Sequence, residues 1–116
     1  MQVQIFGTRK CKDSRKAERF FKERRVKIHF VDLAQKPASK GELRRFTQRF
    51  GVESLIDRES RRFSELGLGP ASYGEDRWLE ILSEEPLVLR TPLVRFQNRV
   101  SVGLDEDTWK AWVSAG

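Results

Sequence analysis

The chain has 116 residues, 38% of them hydrophobic, and a formal net charge of +6, which predicts one small domain over residues 1–116. Its single cysteine cannot form an internal disulfide, and one cysteine with one histidine cannot complete a tetrahedral zinc site, so disulfide-stapled folds and zinc modules are excluded. No apolar run approaches the ~20 residues that cross a bilayer, and the N-terminus lacks the layout of a signal peptide. We therefore expect a cytoplasmic protein with no membrane contact.

The charge is divided unevenly along the chain. Residues 1–50 carry 15 basic and 5 acidic side chains, and residues 51–116 carry 8 and 12. The first part is therefore +10 and the second −4. A basic region can attract phosphate backbones, oxyanions or acidic protein surfaces, although a solvated helix face gives the same pattern.

The first third of the chain has the pattern of a strand, a helix and a second strand. Residues 3–6 predict a short strand, residues 11–25 a helix with one apolar and one basic face, and residues 27–32 an alternating second strand. Two strands joined by a helix over so short a distance predict a parallel pair with a right-handed crossover.

The middle of the chain has helical patterns only. A capping box formed by Ser39 and Glu42 predicts a helix that ends at Gly51 and has Leu43, Phe46 and Phe50 on its apolar face. One or two short helices are expected between residues 52 and 74, and a longer helix over residues 75–85, before a proline.

The last part of the chain predicts a hairpin and a final helix. Residues 91–96 and 99–102 are strand-like and are joined by a turn-prone pair. The helix begins near Asp105, with Trp109 and Trp112 on its apolar face. The order βαβ, helices over residues 39–85, then ββα predicts an α/β thioredoxin-like fold: a four-stranded mixed sheet with an inserted helical region.

Cys11 stands where the first strand gives way to the first helix. Amides at a helix N-terminus and the helix dipole stabilise a thiolate there, and Lys10, Lys12 and Arg15 add positive charge. We therefore expect a lowered thiol pKa and a nucleophilic sulfur. A buried structural cysteine is the alternative, but the charged neighbours, including Asp13, favour exposure.

Three segments carry a resemblance to a known family. Residues 11–15, Cys-Lys-Asp-Ser-Arg, resemble the active-site loop of the glutaredoxin-coupled arsenate reductase (ArsC) and Spx family, in which Cys-x-x-Ser or Cys-x-x-Cys is followed by Arg. Residues 55–67, with Arg58 upstream of an aromatic residue and a Leu-Gly pair, resemble the family's central segment. Residues 90–107 resemble its C-terminal hairpin and final helix.

The resemblance implies a fold and a set of roles. It implies a thioredoxin-like fold with a cis Pro92 opposite the cysteine. Cys11 would be the nucleophile, Ser14 and Arg15 would support its thiolate, and Arg58 would bind the anion. Glutathione with glutaredoxin would then remove the oxidised product.

The anion-binding residues depart from the family pattern at one point. The reductases have an arginine directly before the cis-proline, whereas this chain has Thr91 there and Arg90 one residue earlier, on the opposite face of an extended chain. Arg95 or Arg99 could take the missing role. The residues predicted to contact substrate or anion are Lys10, Lys12, Ser14, Arg90, Pro92 and Arg95.

Two functions follow from the resemblance. The first is a thiol-dependent oxidoreductase that resembles arsenate reductase and uses Cys11 on an oxyanion or a small thiol substrate. Because Ser14 stands where many Spx proteins have a second cysteine, an outside thiol must resolve any oxidation, so glutathione or glutaredoxin is the expected co-substrate, with no bound cofactor. The alternative is a Spx-type transcriptional regulator that binds the RNA polymerase alpha subunit through the basic first half and the region around Gly51.

Other sites are not expected. His29 lies in a strand pattern, which predicts a packed or half-buried histidine. The three tryptophans are expected in the core, and basic and aromatic residues do not alternate on strands as in RNA-binding sheets, so direct nucleic-acid binding is not expected. We predict no metal site and a monomer.

Overall fold

The computed structural model describes residues 1–115 of the chain. Two compact units are present: Met1–Lys36 together with the chain from Thr91 on, and Pro37–Arg90. The helical insertion expected over residues 39–85 falls within the second unit. The prediction of one domain over the whole chain stays a prediction.

The first unit contains all four strands and two helices. Its elements are β1 (Gln2–Gly7), α1 (Lys12–Glu23), β2 (Lys27–Asp32), β3 (Leu93–Phe96), β4 (Arg99–Val102) and α5 (Glu106–Ala115). The sheet order is β2-β1-β3-β4. β1 and β2 are parallel, while β1 pairs antiparallel with β3 and β3 with β4, so the sheet is mixed as the sequence predicts.

The core of the first unit lies on one face of this sheet. Alternate residues of the strands point to that face and pack against α1 and α5. The core residues are Val3, Ile5, Ala17, Phe20, Phe21, Val26, Val94, Phe96, Trp109 and Trp112. Trp109 is fully buried, and its indole N–H donates to the hydroxyl of Ser101 at 2.8 Å, so the one polar atom of this large side chain is satisfied.

Specific capping interactions begin and end α1. Cys11 is its N-cap, and Arg25 adopts a left-handed conformation (φ 59°) just after the helix. The backbone N–H of Arg25 donates to Lys22 O and that of Val26 to Phe21 O, each at 3.0 Å. These two bonds form a Schellman motif, which turns the chain sharply into β2.

The second unit is helical. Its elements are α2 (Lys40–Phe50), a 3-10 turn (Val52–Leu55), α3 (Arg61–Glu65), α4 (Glu75–Glu84) and a second 3-10 turn (Pro86–Val88). The capping box is present as predicted: Ser39 Oγ accepts from the Glu42 amide, and Glu42 accepts from the Ser39 amide. An antiparallel bridge joins Ile56, directly after the first 3-10 turn, to Leu89, directly after the second.

Two expectations about burial are wrong. His29 is exposed rather than packed, because it lies on the edge strand β2 and on the face away from the core, opposite Ile28 and Phe30. Phe50, expected on the apolar face of α2, is 38% exposed at the last position of that helix. The 3-10 turn at Pro86–Val88 was not expected either.

Candidate functional site

Cys11 occupies the junction between β1 and α1. Its backbone is extended (φ −79°, ψ 118°), and its amide donates to Thr8 O at 3.2 Å, which closes the turn after β1. Its carbonyl accepts the amide of Arg15 at 3.1 Å, the first bond of the helix. The helix predicted to begin at Cys11 therefore uses this residue as its cap, and the side chain lies among the free amides of the first turn.

The sulfur has two hydrogen-bond donors. The amide of Ser14 donates to Sγ at 3.4 Å, and the hydroxyl of Thr91 donates to Sγ at 3.1 Å. In the protonated form the thiol can itself donate to the carbonyl of Thr91, at 3.8 Å. Donors that point at sulfur stabilise the thiolate more than the thiol.

These contacts change the pKa of the Cys11 thiol. Partial burial acts to raise that pKa, but the side chains of Ser14 and Thr91 and the backbone amides of Ser14 and Asp13 outweigh it, so the pKa lies below its ordinary value. The thiol is partly exposed, so a substrate can reach it. A lowered pKa and access to solvent are the two properties of a reactive cysteine.

Ser14 is fully buried beside the sulfur. Its hydroxyl oxygen has no hydrogen-bond partner of regular geometry among the described residues, so it acts on the Cys11 thiolate through proximity rather than through a well-formed bond. Gly7 makes room for it: a Cβ at Gly7 would lie 2.3 Å from Ser14 Oγ and 2.7 Å from Ser14 Cβ. The turn that carries Cys11 and Ser14 therefore depends on a glycine at the end of β1.

Three cations flank the cysteine in the chain. Lys10, Lys12 and Arg15 are exposed, and none of them pairs with a carboxylate of residues 1–115. Arg9, in the same turn, is instead held by Glu18 at 3.1 Å. Unpaired cations around a thiol favour anionic groups on whatever approaches it.

Pro92 follows Thr91 through a cis peptide bond, as the resemblance implies. It is buried, and its carbonyl accepts the amide of Gly103 at 2.8 Å. Arg90 belongs to the second unit, where its amide donates to Leu55 O at 2.8 Å and its side chain is exposed.

Arg58 is held by a carboxylate in the second unit. Its Nε and Nη2 donate to the two oxygens of Glu53, at 2.6 and 2.7 Å. This bidentate pair lowers the pKa of Glu53 and raises that of Arg58. The guanidinium predicted to bind the substrate anion therefore already has an anionic partner, and only its remaining N–H groups are free for another.

Arg95 lies away from Cys11 along β1. It is in register with Gln4, and it borders a hollow that also includes Met1 and His29. Cys11 follows the C-terminal end of β1, beyond Gly7. The structure therefore does not bring Arg95 to the cysteine, because the alternation along β3 and its register place the side chain on the sheet face opposite α1 and α5, near Met1 and Gln2.

Thr91 is the site residue that sequence reasoning missed. The sequence marks it only as a departure from the expected arginine before Pro92, whereas in the structure its hydroxyl binds the sulfur. Two features of the sequence could have identified it: its position directly before Pro92, and a hydroxyl that can donate a hydrogen bond.

The described residues contain neither a metal-binding cluster nor a membrane-spanning helix. No three His, Cys, Asp or Glu side chains among residues 1–115 are arranged to hold a metal ion. In the same part of the chain, no helix combines the length and the apolar character needed to cross a membrane.

Known proteins resemble this chain over almost its whole length. The profile of the ArsC family matches residues 6–112. The chain is 27% identical over 114 residues to the uncharacterized protein YusI of Bacillus subtilis, covering 95% of this chain and 97% of that protein. It is 28% identical over 109 residues to the global transcriptional regulator Spx 2 of Oceanobacillus iheyensis, covering 92% and 80%.

A solved structure has the same arrangement of elements. An arsenate reductase from Vibrio cholerae superposes with a TM-score of 0.82 at 22% identity, covering 93% of this chain and 94% of that one. At this identity the likeness concerns the fold, and it confirms the predicted thioredoxin-like α/β architecture.

Proposed function

Since the chain belongs to the ArsC family, we propose that it is a thiol-dependent oxidoreductase whose nucleophile is the Cys11 thiolate and whose reductant is glutathione or glutaredoxin, as in a reducing cytoplasm. The observation that carries the proposal is the pair of donors on Sγ, the amide of Ser14 and the hydroxyl of Thr91. They favour the thiolate, which is the reactive form of cysteine.

The reaction that this site supports is thiol–disulfide exchange. The Cys11 thiolate attacks the glutathione sulfur of a mixed disulfide between glutathione and a small thiol, so a Cys11–glutathione disulfide forms and the small thiol leaves as a thiolate. The thiolate of a second glutathione, or of glutaredoxin, then attacks the glutathione sulfur of that disulfide. Cys11 leaves as a thiolate, and the new disulfide of glutathione carries the oxidation away.

An external reductant is needed because the chain has no second cysteine. Ser14 occupies the place of a resolving thiol, and its hydroxyl cannot form a disulfide. The exposed cations Lys10, Lys12 and Arg15 are suited to the carboxylates of glutathione. Their charge is unpaired within residues 1–115, so no internal ion pair has to break when such a carboxylate binds.

An oxyanion such as arsenate has weaker support than a disulfide. Arg58 is engaged by Glu53, and Arg95 lies away from the cysteine along β1. Thr91 supplies a neutral hydroxyl where the reductases have a guanidinium. A site with few free arginines stabilises the charge on an oxyanion poorly.

The test is a reaction of the folded protein with glutathione disulfide. We expect a Cys11–glutathione disulfide in the intact mass. With glutathione as the only thiol reductant, we expect turnover of a small glutathione mixed disulfide, followed as NADPH oxidation through glutathione reductase, and neither signal above background with the Cys11→Ser variant. Arsenate is run in parallel with the same reductants. Absence of both the adduct and turnover from wild-type protein would overturn the proposal, while turnover with arsenate alone would identify the substrate as the oxyanion.

A second candidate is a regulator of the Spx type that binds the RNA polymerase alpha subunit. The observation in its favour is that several relatives are named as Spx transcriptional regulators. Spx 2 of Oceanobacillus iheyensis, for instance, matches 92% of this chain. The test is capture of the purified alpha subunit at about 0.15 M salt, where long-range charge attraction is largely screened. Binding that survives this salt and does not require Cys11 would favour the regulator.

A further inference from the structure

A charged hollow of about 480 Å³ lies between α1 and the start of α5, on the unit that carries Cys11 but away from the sulfur. Four cations line it: Lys16, Arg19, Arg24 and Lys110. Two carboxylates, Glu23 and Glu106, also line it. The hollow therefore has an excess of positive charge.

The cations of this hollow have no carboxylate partner among residues 1–115. The described part of the first unit has a single ion pair, Arg9 with Glu18, whereas the arginines Arg58 and Arg62 of the second unit are held by carboxylates. The positive side chains around the hollow are thus available to an approaching anionic group.

One of these cations is fixed in position. The guanidinium of Arg24 lies 3.6 Å from the ring centroid of Phe20, and its Nη1 donates to Phe20 O at 3.1 Å. The two contacts hold the side chain in place and leave its other N–H groups without a hydrogen-bond partner among residues 1–115. A cation that is already ordered loses less side-chain entropy when it binds a partner.

An apolar side chain is exposed beside the cations. Leu104, between β4 and α5, is 43% exposed although it lines the hollow. Small docking sites on proteins typically combine an apolar contact with a polar rim. Here Leu104 supplies the apolar contact, and the charged side chains of the hollow supply the rim.

We propose that this hollow docks an acidic segment of a partner protein that places one aliphatic side chain against Leu104. Carboxylates on either side of that side chain would pair with Arg19, Arg24 and Lys110. A nucleic-acid strand fits less well, because a base needs a free aromatic face to stack on and the ring of Phe20 is covered by the guanidinium of Arg24.

The experiment uses the full chain and a fluorescent peptide in which one leucine is flanked by aspartates, measured by anisotropy at about 0.15 M salt. A second peptide carries serine in place of the leucine. The protein variants are Arg19→Glu and Leu104→Ser. The control is Arg45→Glu, which changes the net charge equally at an exposed and unpaired cation of α2 in the other unit.

We expect saturable binding of the leucine peptide and a loss on the order of tenfold in affinity with Arg19→Glu. Leu104→Ser should weaken the leucine peptide and leave the serine peptide unchanged. The Arg45→Glu control should change affinity by less than about twofold. The rate of Cys11 alkylation should be the same in all variants, since none of these residues contacts the sulfur.

Three results would overturn the proposal. One is no saturable binding of the leucine peptide by the wild-type chain. Another is an equal loss with Arg19→Glu and Arg45→Glu, which would mean attraction to net charge alone. The third is a labelled DNA duplex that binds more tightly than the peptide at the same salt and loses its affinity with Arg19→Glu, which would assign the hollow to nucleic acid.

Discussion

At the scale of single residues, the pKa of the Cys11 thiol depends on three neighbouring groups: the amide and the hydroxyl of Ser14 and the hydroxyl of Thr91. The Ser14 amide is fixed by the helix, and the Ser14 hydroxyl is confined by burial. The Thr91 hydroxyl comes from a distant part of the chain and can be altered without disturbing α1. Thr91 is therefore the residue through which the reactivity of the Cys11 thiol can be changed separately from the fold.

Substitution of Thr91 by valine tests that role. Thr91→Val keeps the shape of the side chain but removes its donor, so the pKa of the Cys11 thiol should rise. At neutral pH we expect the rate of alkylation to fall by about threefold, because the loss of thiolate is partly offset by the greater intrinsic nucleophilicity of a more basic thiolate. The measurement is the rate of iodoacetamide labelling across a pH series.

Thr91→Ser is the matched control, since it keeps the hydroxyl. Its pH profile should follow that of the wild type. If Thr91→Val and Thr91→Ser moved the profile equally, the effect would come from packing next to Pro92 rather than from the hydrogen bond to sulfur.

At the scale of elements, the first turn of α1 depends on the residue that ends β1. Gly7→Ala would place a methyl group 2.3 Å from Ser14 Oγ, so the start of the helix must move. We expect a loss of about 1–3 kcal/mol in the free energy of unfolding and slower alkylation of Cys11, because its cap geometry changes. Urea unfolding and thiol labelling of one sample measure both.

Gly69→Ala is the comparison for that variant. Gly69 has open space around its Cβ position and no positive φ, so alanine there should leave both quantities within error of the wild type. A loss of stability in Gly7→Ala without any change in labelling would separate the fold of α1 from the reactivity of the cysteine.

The hydrogen bond between α5 and β4 is a second element-scale feature. Ser101→Ala leaves the buried indole N–H of Trp109 without a partner, which should cost about 1–3 kcal/mol of stability. Ser114→Ala, on the exposed end of α5, is the control and should be neutral. Equal midpoints of chemical unfolding for the two variants would contradict this assignment.

Local patterns predicted the elements well, and contacts between distant elements poorly. The capping box of Ser39 and Glu42 and the hairpin of β3 and β4 depend on neighbours in the sequence, so their residues suffice to predict them. The bond from Thr91 to Cys11 joins residues 80 positions apart. Alternation in β2 identified two faces but not which of them is covered, so His29 was placed wrongly.

The same limit applies to the candidate site. The position of Cys11 at a helix start was visible in the sequence because a strand pattern changes there into a helical one. The pairing of Arg58 with Glu53 was not visible in the sequence. A glutamate five residues away can face in any direction until the conformation of the chain between the two residues is known. The register of β3, which moves Arg95 away from the cysteine, likewise requires the assembled sheet.

At the scale of the whole molecule, the basic side chains of the two units differ in how often they pair with carboxylates. In the second unit, Lys40 and four of the arginines form ion pairs, as with Arg62 and Glu85 at 2.8 Å. In the described residues of the first unit, most lysines and arginines have no such partner. Exposed pairs of this kind contribute little stability, so the distribution matters for which partners the protein attracts rather than for the fold.

The lowered pKa of Cys11 makes the stability of the whole chain depend on pH, because the folded and unfolded states bind the thiol proton with different affinity. The pKa of Cys11 is lower in the folded state than in an unfolded chain, where the thiol has its ordinary value. Between the two pKa values the unfolded state binds more protons, so stability rises with pH across that interval and falls as pH is lowered through the folded-state pKa. Below it both states are protonated, and the contribution disappears.

The difference in melting temperature between the wild type and Cys11→Ser isolates this contribution, because serine does not titrate in this range while the other ionisable groups are common to both proteins. The difference should shift in favour of the wild type as pH rises from acidic to alkaline. In the Thr91→Val background, where one donor to the thiolate is absent, the same comparison should give a smaller change. A difference that stays constant with pH would mean that the folded protein does not favour the thiolate, and the nucleophilic role of Cys11 would lose its physical basis.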